Sequence, residues 1–294
     1  FYPVNVGSIL NEGFELALGG FFVSTRDVQW TWNVNMSHYR NEILSLDSSI
    51  SEEGIKGSNY IYKVGGSLYD AYMRKFAGVN KETGKAQWYK KIEEENPETG
   101  EMEWTGESEI TEVFSDADQY ELGTVMPKLY GGFGTTLRFY GFDLSAQLSY
   151  QLGGKYYDGT YQSLMHTQSS AGNAWHKDAL KAWTPENPNS DIPRMDGDAS
   201  VGQTAVSNYL ISSNYLSVNN VTLGYTFPRK WTAKMGIQGL RIYVAGDNLA
   251  VVSARQGVDP RFSMGLGSYT SGSGLNSGSY SAMRTIAGGI TLTF

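Results

Sequence analysis

Stretches of alternating apolar and polar residues recur along the chain. From Val28 to Tyr39, one parity begins with Val, Trp, Trp, Val and Met, whereas the other begins with Gln, Thr, Asn, Asn and Ser. Because successive side chains of a strand point to opposite faces, this period of two predicts a β-strand with one apolar and one polar face. The stretch from Phe142 to Leu152 alternates in the same way. It is longer than an average strand of about five or six residues.

Seven such stretches predict an all-β fold. They lie near residues 13–22, 28–41, 131–140, 142–153, 215–227, 238–249 and 283–294. Short turns join them in pairs, and long segments at 42–130, 154–208 and 250–282 separate the pairs. Short turns at one end and long loops at the other are typical of a transmembrane antiparallel β-barrel, whose long loops are extracellular.

A soluble β-sandwich with long loops would show the same alternation. The polar parity favours the barrel, because it carries Gln, Asn, Ser and Thr with few charges, as expected for a water-filled lumen. The predicted lumen-lining residues are Gln29, Asn33, Asn35, Gln147 and Gln151. Bacterial single-chain barrels have even strand numbers, so we expect these seven strands to be the C-terminal portion of a larger barrel, with an export signal upstream.

Composition excludes several function classes. The chain has 23 Lys and Arg against 30 Asp and Glu, a net charge of −7, which argues against nucleic acid as a partner. It has no cysteine, so thiolate metal sites and cysteine nucleophiles are excluded. His166 and His176 lie near Asp178 but have no third ligand at metal spacing, and no HExxH, GxSxG or P-loop pattern occurs. We therefore expect no enzymatic activity, no catalytic metal and no cofactor.

One acidic segment accounts for the net negative charge. Residues 93–121 contain 12 of the 30 acidic residues and no Lys or Arg. Runs of like charge are usually solvated and exposed, which is the interpretation we favour. A structural Ca²⁺ in the extracellular loops is the alternative, since Ca²⁺ binds several carboxylate and carbonyl oxygens.

Four aromatic residues in the long segments are candidates for ligand binding, since a flat ring can stack on the apolar face of a sugar. These are Trp88, Tyr89, Trp104 and Trp175. Aromatic residues in loops more often pack the loops against each other, and exposed ones can also form the contact surface for a partner protein.

Several ordered motifs cover nearly the whole chain. They include Asn5-Val6-Gly7-Ser8, Gly131-Gly132-Phe133-Gly134, Trp183-Thr184-Pro185-Glu186-Asn187-Pro188, Asn219-Asn220-Val221-Thr222-Leu223-Gly224-Tyr225, Gly246-Asp247-Asn248-Leu249 and Gly257-Val258-Asp259-Pro260-Arg261. In this order the motifs resemble the C-terminal barrel region of the SusC/RagA family of TonB-dependent outer-membrane transporters. The long segments depart most from the family pattern, and there we expect substrate preference to differ.

The resemblance implies a plugged barrel of about 22 strands in the bacterial outer membrane. It implies import of oligosaccharides together with a SusD-like surface lipoprotein. It also implies energy coupling to TonB-ExbB-ExbD through an N-terminal region that, with the plug, is absent from this chain. Phe294 resembles the terminal aromatic residue that the barrel-assembly machinery recognises. Peptide import by a RagA-like member, a surface receptor or adhesin without transport, and a secreted carbohydrate-binding module remain as alternatives.

Overall fold

The computed structural model describes residues 7–47, 50, 54–57, 59–165, 174–195, 206–255, 257, 259–262 and 282–294. His166, the motif residues Asn5, Val6 and Val258, and parts of the predicted loops 42–130, 154–208 and 250–282 lie outside the described residues. Among the described helices, none is long and apolar enough to cross a membrane.

The described residues are mostly in β-strands. In chain order the strands are β1 Gly7–Ser24, β2 Val28–Leu46, β3 Ile55–Lys56, β4 Ile61–Tyr62, β5 Asp70–Arg74, β6 Phe76–Val79, β7 Ala86–Glu95, β8 Met102–Thr111, β9 Gln119–Thr124, β10 Leu129–Phe139, β11 Phe142–Leu152, β12 Lys155–Tyr157, β13 Leu210–Ser212, β14 Tyr215–Thr226, β15 Gly239–Ser253 and β16 Thr285–Thr293. The helices are α1 Gly159–Leu164 and α2 Arg229–Thr232, with 3-10 turns at Phe114–Asp116, Lys177–Lys181, Ser207–Tyr209, Ala233–Met235 and Pro260–Phe262.

Seven long strands form one antiparallel sheet in the order β1-β2-β10-β11-β14-β15-β16. Each strand pairs with the strands before and after it in this order, so the topology is a meander interrupted by the long segments. The predicted all-β fold with seven long strands is confirmed. The strands β1, β2 and β15 are longer than predicted, at 18, 19 and 15 residues.

The register sorts the side chains of this sheet onto two faces. One cross-strand row joins Trp30, Leu137, Leu144, Leu223 and Val244 in β2, β10, β11, β14 and β15. We call the side that carries this row the apolar face. Its large side chains are uncovered, with exposed fractions of 41% at Trp30 and 47% at Val244.

The opposite side of the sheet is the polar face. A second row on the same five strands joins Asn33, Gly134, Gln147, Asn220 and Asp247. A soluble protein rarely leaves a wide apolar surface exposed, whereas a membrane barrel needs an apolar face toward lipid and a polar face toward its interior. The distribution of side chains therefore matches one part of a barrel wall.

The segments predicted as long loops contain strands and a hydrophobic core of their own. Strands β3 to β9 lie within 42–130, β12 lies within 154–208, and β13 lies between that segment and β14. Buried residues from these elements form what we call the loop core: Ala71, Met73, Ala86, Trp88, Ala117, Val125, Tyr157, Met165, Val206 and Tyr209. The described parts of the segments 42–130 and 154–208 thus pack together at the long-loop end of the main sheet.

The acidic segment begins at the end of β7 and includes β8, and these two strands form a hairpin. Glu94 pairs with Glu103 in the register, and the carboxylate of Glu109 accepts a hydrogen bond from Nζ of Lys90 at 2.9 Å. Most residues of β8 are exposed, in keeping with the favoured interpretation of a solvated acidic run. Within the described part of the chain, no three His, Asp or Glu side chains converge in a group that could hold a metal ion.

Candidate functional site

The five predicted lumen-lining residues lie on the polar face. Asn33 and Gln147 flank Gly134, and a Cβ added at that glycine would lie 2.7 Å from Oδ1 of Asn33 and 2.8 Å from Nε2 of Gln147. Glycine therefore leaves room for two amide side chains to lie over the strand between them. Oδ1 of Asn35 accepts a hydrogen bond from the backbone N–H of Gly132 at 2.9 Å. These groups form a dense layer of uncharged donors and acceptors.

Gln29 borders a charged cavity of about 580 Å³ at the short-turn end of the polar face. The charged side chains that line it are Arg26, Asp27, Arg138, Asp143 and Arg241. Arg241 binds Asp143 through two hydrogen bonds of 2.6 and 3.0 Å. The polar face thus changes from amide groups in its middle to charged side chains, including the Arg241–Asp143 ion pair, at its short-turn end.

Gln151 differs from the other four because it is 4% exposed. Its Nε2 donates to the backbone carbonyl of Ser213 at 3.2 Å and to the Ser213 hydroxyl at 2.9 Å. Gln151 thus lies on the polar face but is covered by the segment around Ser213, and its predicted lumen-lining role stays a prediction. The hydrogen bonds of its amide hold the residues just before β14 against the end of β11.

A cleft of about 400 Å³ contains one of the predicted aromatic residues, Trp104. The rings of Trp104 and Tyr120 meet edge to face, with centroids 5.8 Å apart and an interplanar angle of 86°. Nζ of Lys91 lies 5.2 Å from the Trp104 ring and 5.5 Å from the Tyr120 ring. The rest of the lining is Lys56, Ile61, Lys63, Tyr72, Gln119 and Glu121.

The Trp104 cleft combines an open aromatic surface with hydrogen-bonding groups. Trp104 is 47% exposed, and its indole N–H donates to the backbone carbonyl of Glu107 at 2.6 Å, which holds the ring in place. Burial raises the pKa of Tyr120, so the phenol is neutral and pairs with the Ser108 hydroxyl at 2.8 Å. Flat rings with polar groups at their rim can stack on a sugar or on a peptide side chain.

Trp88 lies in the loop core and not on a surface. It is 1% exposed, and its ring packs edge-on against Phe76 and Phe114 at centroid distances of 5.3 and 5.0 Å. A ligand has no access to this ring, so the prediction of Trp88 as a ligand platform is wrong. The adjacent Tyr89 lies on the other side of β7 and is half-buried, with Nζ of Lys75 4.7 Å from its ring.

Trp175 is the second strongly exposed aromatic among the four candidates, at 56%. It precedes His176, whose ring packs edge-on against Tyr161 at 4.7 Å. Trp175 does not line the Trp104 cleft. The structure therefore does not bring the four aromatic candidates together into one site.

The groups around His176 form a structural cluster. Its Nδ1 accepts a hydrogen bond from the backbone N–H of Asp178 at 3.1 Å, which caps the 3-10 turn Lys177–Lys181. A hydrogen bond from Lys181 at 2.7 Å is the main cause that lowers the pKa of Asp178. These contacts account for a capped turn.

Arg255 was not identified from the sequence, and it fastens the segment after β15 to the loop core. Its Nη1 donates to Oδ2 of Asp158 at 2.6 Å, and its guanidinium lies 3.6 Å from the Tyr161 ring centroid. The Asp158 side chain is 2% exposed, and its Oδ1 also caps α1 by accepting from the backbone N–H of Tyr161 at 2.9 Å. Burial raises the pKa of Tyr161 to about 12, so the ring beneath the guanidinium stays neutral.

Arg261 fills a second attachment point, at a double bulge in the main sheet. The register of β14 and β15 skips Asn219 on β14 and both Asn248 and Leu249 on β15, and Asn248 has a left-handed backbone with φ of 51°. Nη1 of Arg261 donates to Oδ1 of Asn219 at 3.1 Å and to the Ser217 hydroxyl at 2.8 Å, while Asp259 binds the same guanidinium at 2.6 Å. Asn219, Asn248 and Arg261 belong to three of the sequence motifs, and these motifs meet here. Those motifs are the sequence signal that could have identified the site.

Comparison with known proteins gives consistent matches. No family model matches the chain. It is 26% identical over 302 residues to TonB-dependent receptor P3 of Formosa agariphila, covering 99% of this chain and 29% of that receptor. It is 29% identical to TonB-dependent receptor P26 of the same organism, again over 99% of this chain and 30% of the receptor. TonB-dependent receptor SusC of Bacteroides thetaiotaomicron is 23% identical over 89% of this chain and 25% of SusC.

The fold matches solved structures equally well. The RagAB peptide transporter superposes with a TM-score of 0.76 at 25% sequence identity, over 99% of this chain and 30% of the matched one. The RagAB peptide importer in its closed-closed and open-open states gives TM-scores of 0.75 and 0.74. The chain thus spans less than a third of the length of the relatives it matches. These relatives are receptors and transporters, which supports a role without enzymatic activity.

Proposed function

The chain resembles, over nearly its whole length, the C-terminal part of SusC- and RagA-type TonB-dependent receptors, and from this premise we propose that it forms part of the wall and extracellular loops of an oligosaccharide importer in the bacterial outer membrane. Transport would depend on rearrangement of a plug and a lid and would involve no chemical step in this chain.

The observation that carries the proposal is the two-faced seven-stranded sheet. Its apolar face leaves Leu144 and Leu223 exposed at 39% and 44%, and its polar face carries amides at Asn33 and Gln147. Lipid solvates the first surface, and a water-filled interior solvates the second. A soluble receptor or a secreted binding module would leave the apolar surface in water, which is costly.

We propose the Trp104 cleft as a contact site for the ligand. The exposed ring of Trp104 offers a flat apolar surface, and Gln119, Lys91 and Lys63 offer hydrogen bonds to hydroxyl groups. Trp175 and Tyr89 are separate, weaker contact candidates at the long-loop end.

The proposed partners follow from the same premise. A SusD-like surface lipoprotein would cover the long-loop end, and TonB-ExbB-ExbD would supply energy through the N-terminal region of the parent protein. Phe294, which is 78% exposed at the end of the apolar parity of β16, would serve as the assembly signal.

Peptide import is the second candidate, and the likeness to the RagAB peptide transporter favours it. A surface receptor without transport is the third. All three candidate functions use the same barrel. They differ in whether an oligosaccharide, a peptide or no ligand crosses it.

Uptake by cells that lack the parent gene tests the proposal. Radiolabelled oligosaccharides and peptides are supplied to the deletion strain, to the complemented strain, and to the complemented strain treated with a protonophore. We expect oligosaccharide uptake that requires both the gene and the proton gradient. Gene-dependent uptake of peptides would show that the imported substrate is a peptide and not an oligosaccharide. Binding without energy-dependent uptake would indicate a receptor.

A further inference from the structure

The turn between β14 and β15 is the most elaborate of the short turns. It spans residues 228–238 and consists of α2 followed by the 3-10 turn Ala233–Met235 and a left-handed Gly236 with φ of 72°. The other two short turns, 25–27 and 140–141, connect their strands directly. A connection between adjacent strands does not need this extra structure, so the turn calls for another explanation.

The turn exposes two large apolar side chains. Trp231 is 54% exposed and Met235 is 64% exposed, so both large side chains are open at the surface of the turn. Thr232, between them, is 1% exposed, and its carbonyl accepts a hydrogen bond from the N–H of Ile237 at 3.2 Å. The N–H of Gln238 in turn binds the carbonyl of Thr293 at 2.8 Å. The turn is therefore fastened to the sheet while Trp231 and Met235 project from it.

Three cations surround this apolar pair. Arg229, Lys230 and Lys234 are all exposed. Every ion pair in the described part of the chain uses other cations. The turn contains no Asp or Glu, although the whole chain is acidic. Among the described residues none forms an ion pair with these three cations, so the turn presents three positive charges at its surface.

The turn also continues an aromatic band on the apolar face. At the short-turn end of the sheet the rings of Phe139 and Phe142, of Phe142 and Tyr225, and of Tyr225 and Phe227 are 5.4, 4.5 and 4.9 Å apart. Membrane barrels carry such aromatic girdles at the level of the lipid headgroups. The turn begins directly after Phe227, so the band places Trp231 near that level.

We propose that the turn 228–238 binds the phospholipid headgroup layer at the short-turn rim of the barrel. Trp231 and Met235 insert among the parts of the acyl chains that lie next to the headgroups, and Arg229, Lys230 and Lys234 pair with lipid phosphates. Trp is the side chain most suited to this interface, and each cation near an anionic surface adds attraction. The proposal rests on the proposed membrane barrel, and it assigns to the turn a role in fixing the depth and tilt of that barrel.

The absence of cysteine from this chain allows a site-specific test. The parent protein, freed of any cysteine elsewhere, receives a single bimane label at Trp231→Cys, at Leu144→Cys on the apolar face, or at Gln147→Cys on the polar face. Each is reconstituted in bilayers with nitroxide lipids labelled either at the headgroup or at mid-chain. We expect headgroup quenching to be the stronger at 231, mid-chain quenching to be the stronger at 144, and neither at 147.

The labels at positions 144 and 231 distinguish a failure of the turn proposal from a failure of the proposed barrel. Quenching at 144 but not at 231 would overturn the turn proposal and leave the barrel intact, whereas no quenching at 144 would overturn the barrel itself. The charge contribution is tested with Lys230→Gln/Lys234→Gln in the labelled Trp231→Cys background. Headgroup quenching at 231 should fall when phosphatidylglycerol is replaced by phosphatidylcholine, and the double variant should remove that dependence. A dependence that survives in the double variant would overturn the phosphate pairing.

Discussion

Arg241 binds Asp143 across an intervening strand. The guanidinium lies on β15 and the carboxylate on β11, and Nη2 and Nε reach the two carboxylate oxygens at 2.6 and 3.0 Å. The bridge passes over Gly224 of β14, which is the register partner of Asp143. A Cβ added at Gly224 would lie 2.6 Å from Oδ1 of Asp143 and would also collide with the guanidinium. Glycine here makes room for an ion pair that ties three strands together.

We expect Gly224→Ala to destabilise the barrel by about 1 to 3 kcal/mol, because the methyl group overfills the space beneath the ion pair. Gly288→Ala is the matched control, since the nearest atom to its added Cβ is the Tyr243 carbonyl oxygen at 3.6 Å. Thermal unfolding of the parent protein in detergent, followed by loss of heat-modifiable mobility in gels, measures both. Equal midpoints for the two variants would refute the proposed role of Gly224.

A charge should be tolerated on one face of the sheet and not on the other. Leu148 pairs with Phe133 and Val218 on the apolar face, and Gln147 pairs with Gly134 and Asn220 on the polar face. Leu148→Arg should cost about 2 to 4 kcal/mol if the site is at mid-depth in lipid, and Gln147→Arg much less. Unfolding in urea from lipid vesicles gives both values, and equal costs would contradict the assigned faces.

The alternation of apolar and polar residues was enough to predict the main sheet. Each face of a barrel wall contacts one medium, lipid or water, along its whole length, so the alternation continues from one end of a strand to the other. The loop core was not predicted, since several of its strands are short and register shifts interrupt the pairing of others, as between Phe76 and Gly78. The prediction of Trp88 as a ligand platform fails because the residues that bury it, Phe76 and Phe114, lie in other elements of the segment. Arg255 and Asp158 are 97 residues apart, and no local pattern links their charges.

Removing Arg255 should release the segment after β15 from the loop core. Arg255→Ala leaves the carboxylate of Asp158, 2% exposed, without its cation, and breaking a buried pair costs about 3 to 5 kcal/mol. We expect faster amide hydrogen exchange in α1 and around Tyr209, measured by mass spectrometry, with the main sheet unchanged. Arg229→Ala, at an exposed site, is the control. Unchanged exchange in α1 would show that the segment is held by other contacts.

The attachment of Arg261 should depend on pH. Burial acts to raise the pKa of Asp259, but hydrogen bonds and the charge of Arg261 outweigh burial and hold that pKa below its ordinary value. A lowered folded-state pKa means that the stabilisation is complete above the unfolded pKa, near 4, and is lost as the pH falls through the folded value. Hydrogen exchange around Asn219 should therefore increase on acidification below about pH 4.

Asp259→Asn tests this assignment, because the amide cannot titrate. Exchange around Asn219 should be faster than in the wild type at neutral pH and should lose the acid-dependent step. An acid-dependent step of the same size in the variant would assign the titration to another carboxylate.

Trp88 and Trp104 lie in neighbouring strands of one hairpin sheet, and their substitution should have opposite consequences. Trp88 is 1% exposed between Phe76 and Phe114, so Trp88→Ala should destabilise the loop core by about 3 to 5 kcal/mol and impair uptake only through misfolding.

Trp104 is 47% exposed, so Trp104→Ala should leave hydrogen exchange of the loop core unchanged and weaken ligand binding by about 1 to 3 kcal/mol, a typical cost for an aromatic contact. Calorimetric titration of the parent protein with oligosaccharides and with peptides measures the binding. Trp104→Phe, which keeps a flat ring, should retain most of the affinity. If Trp104→Ala binds as tightly as the wild type, the ligand contacts another surface of the loops, and Trp175 is the next residue to substitute.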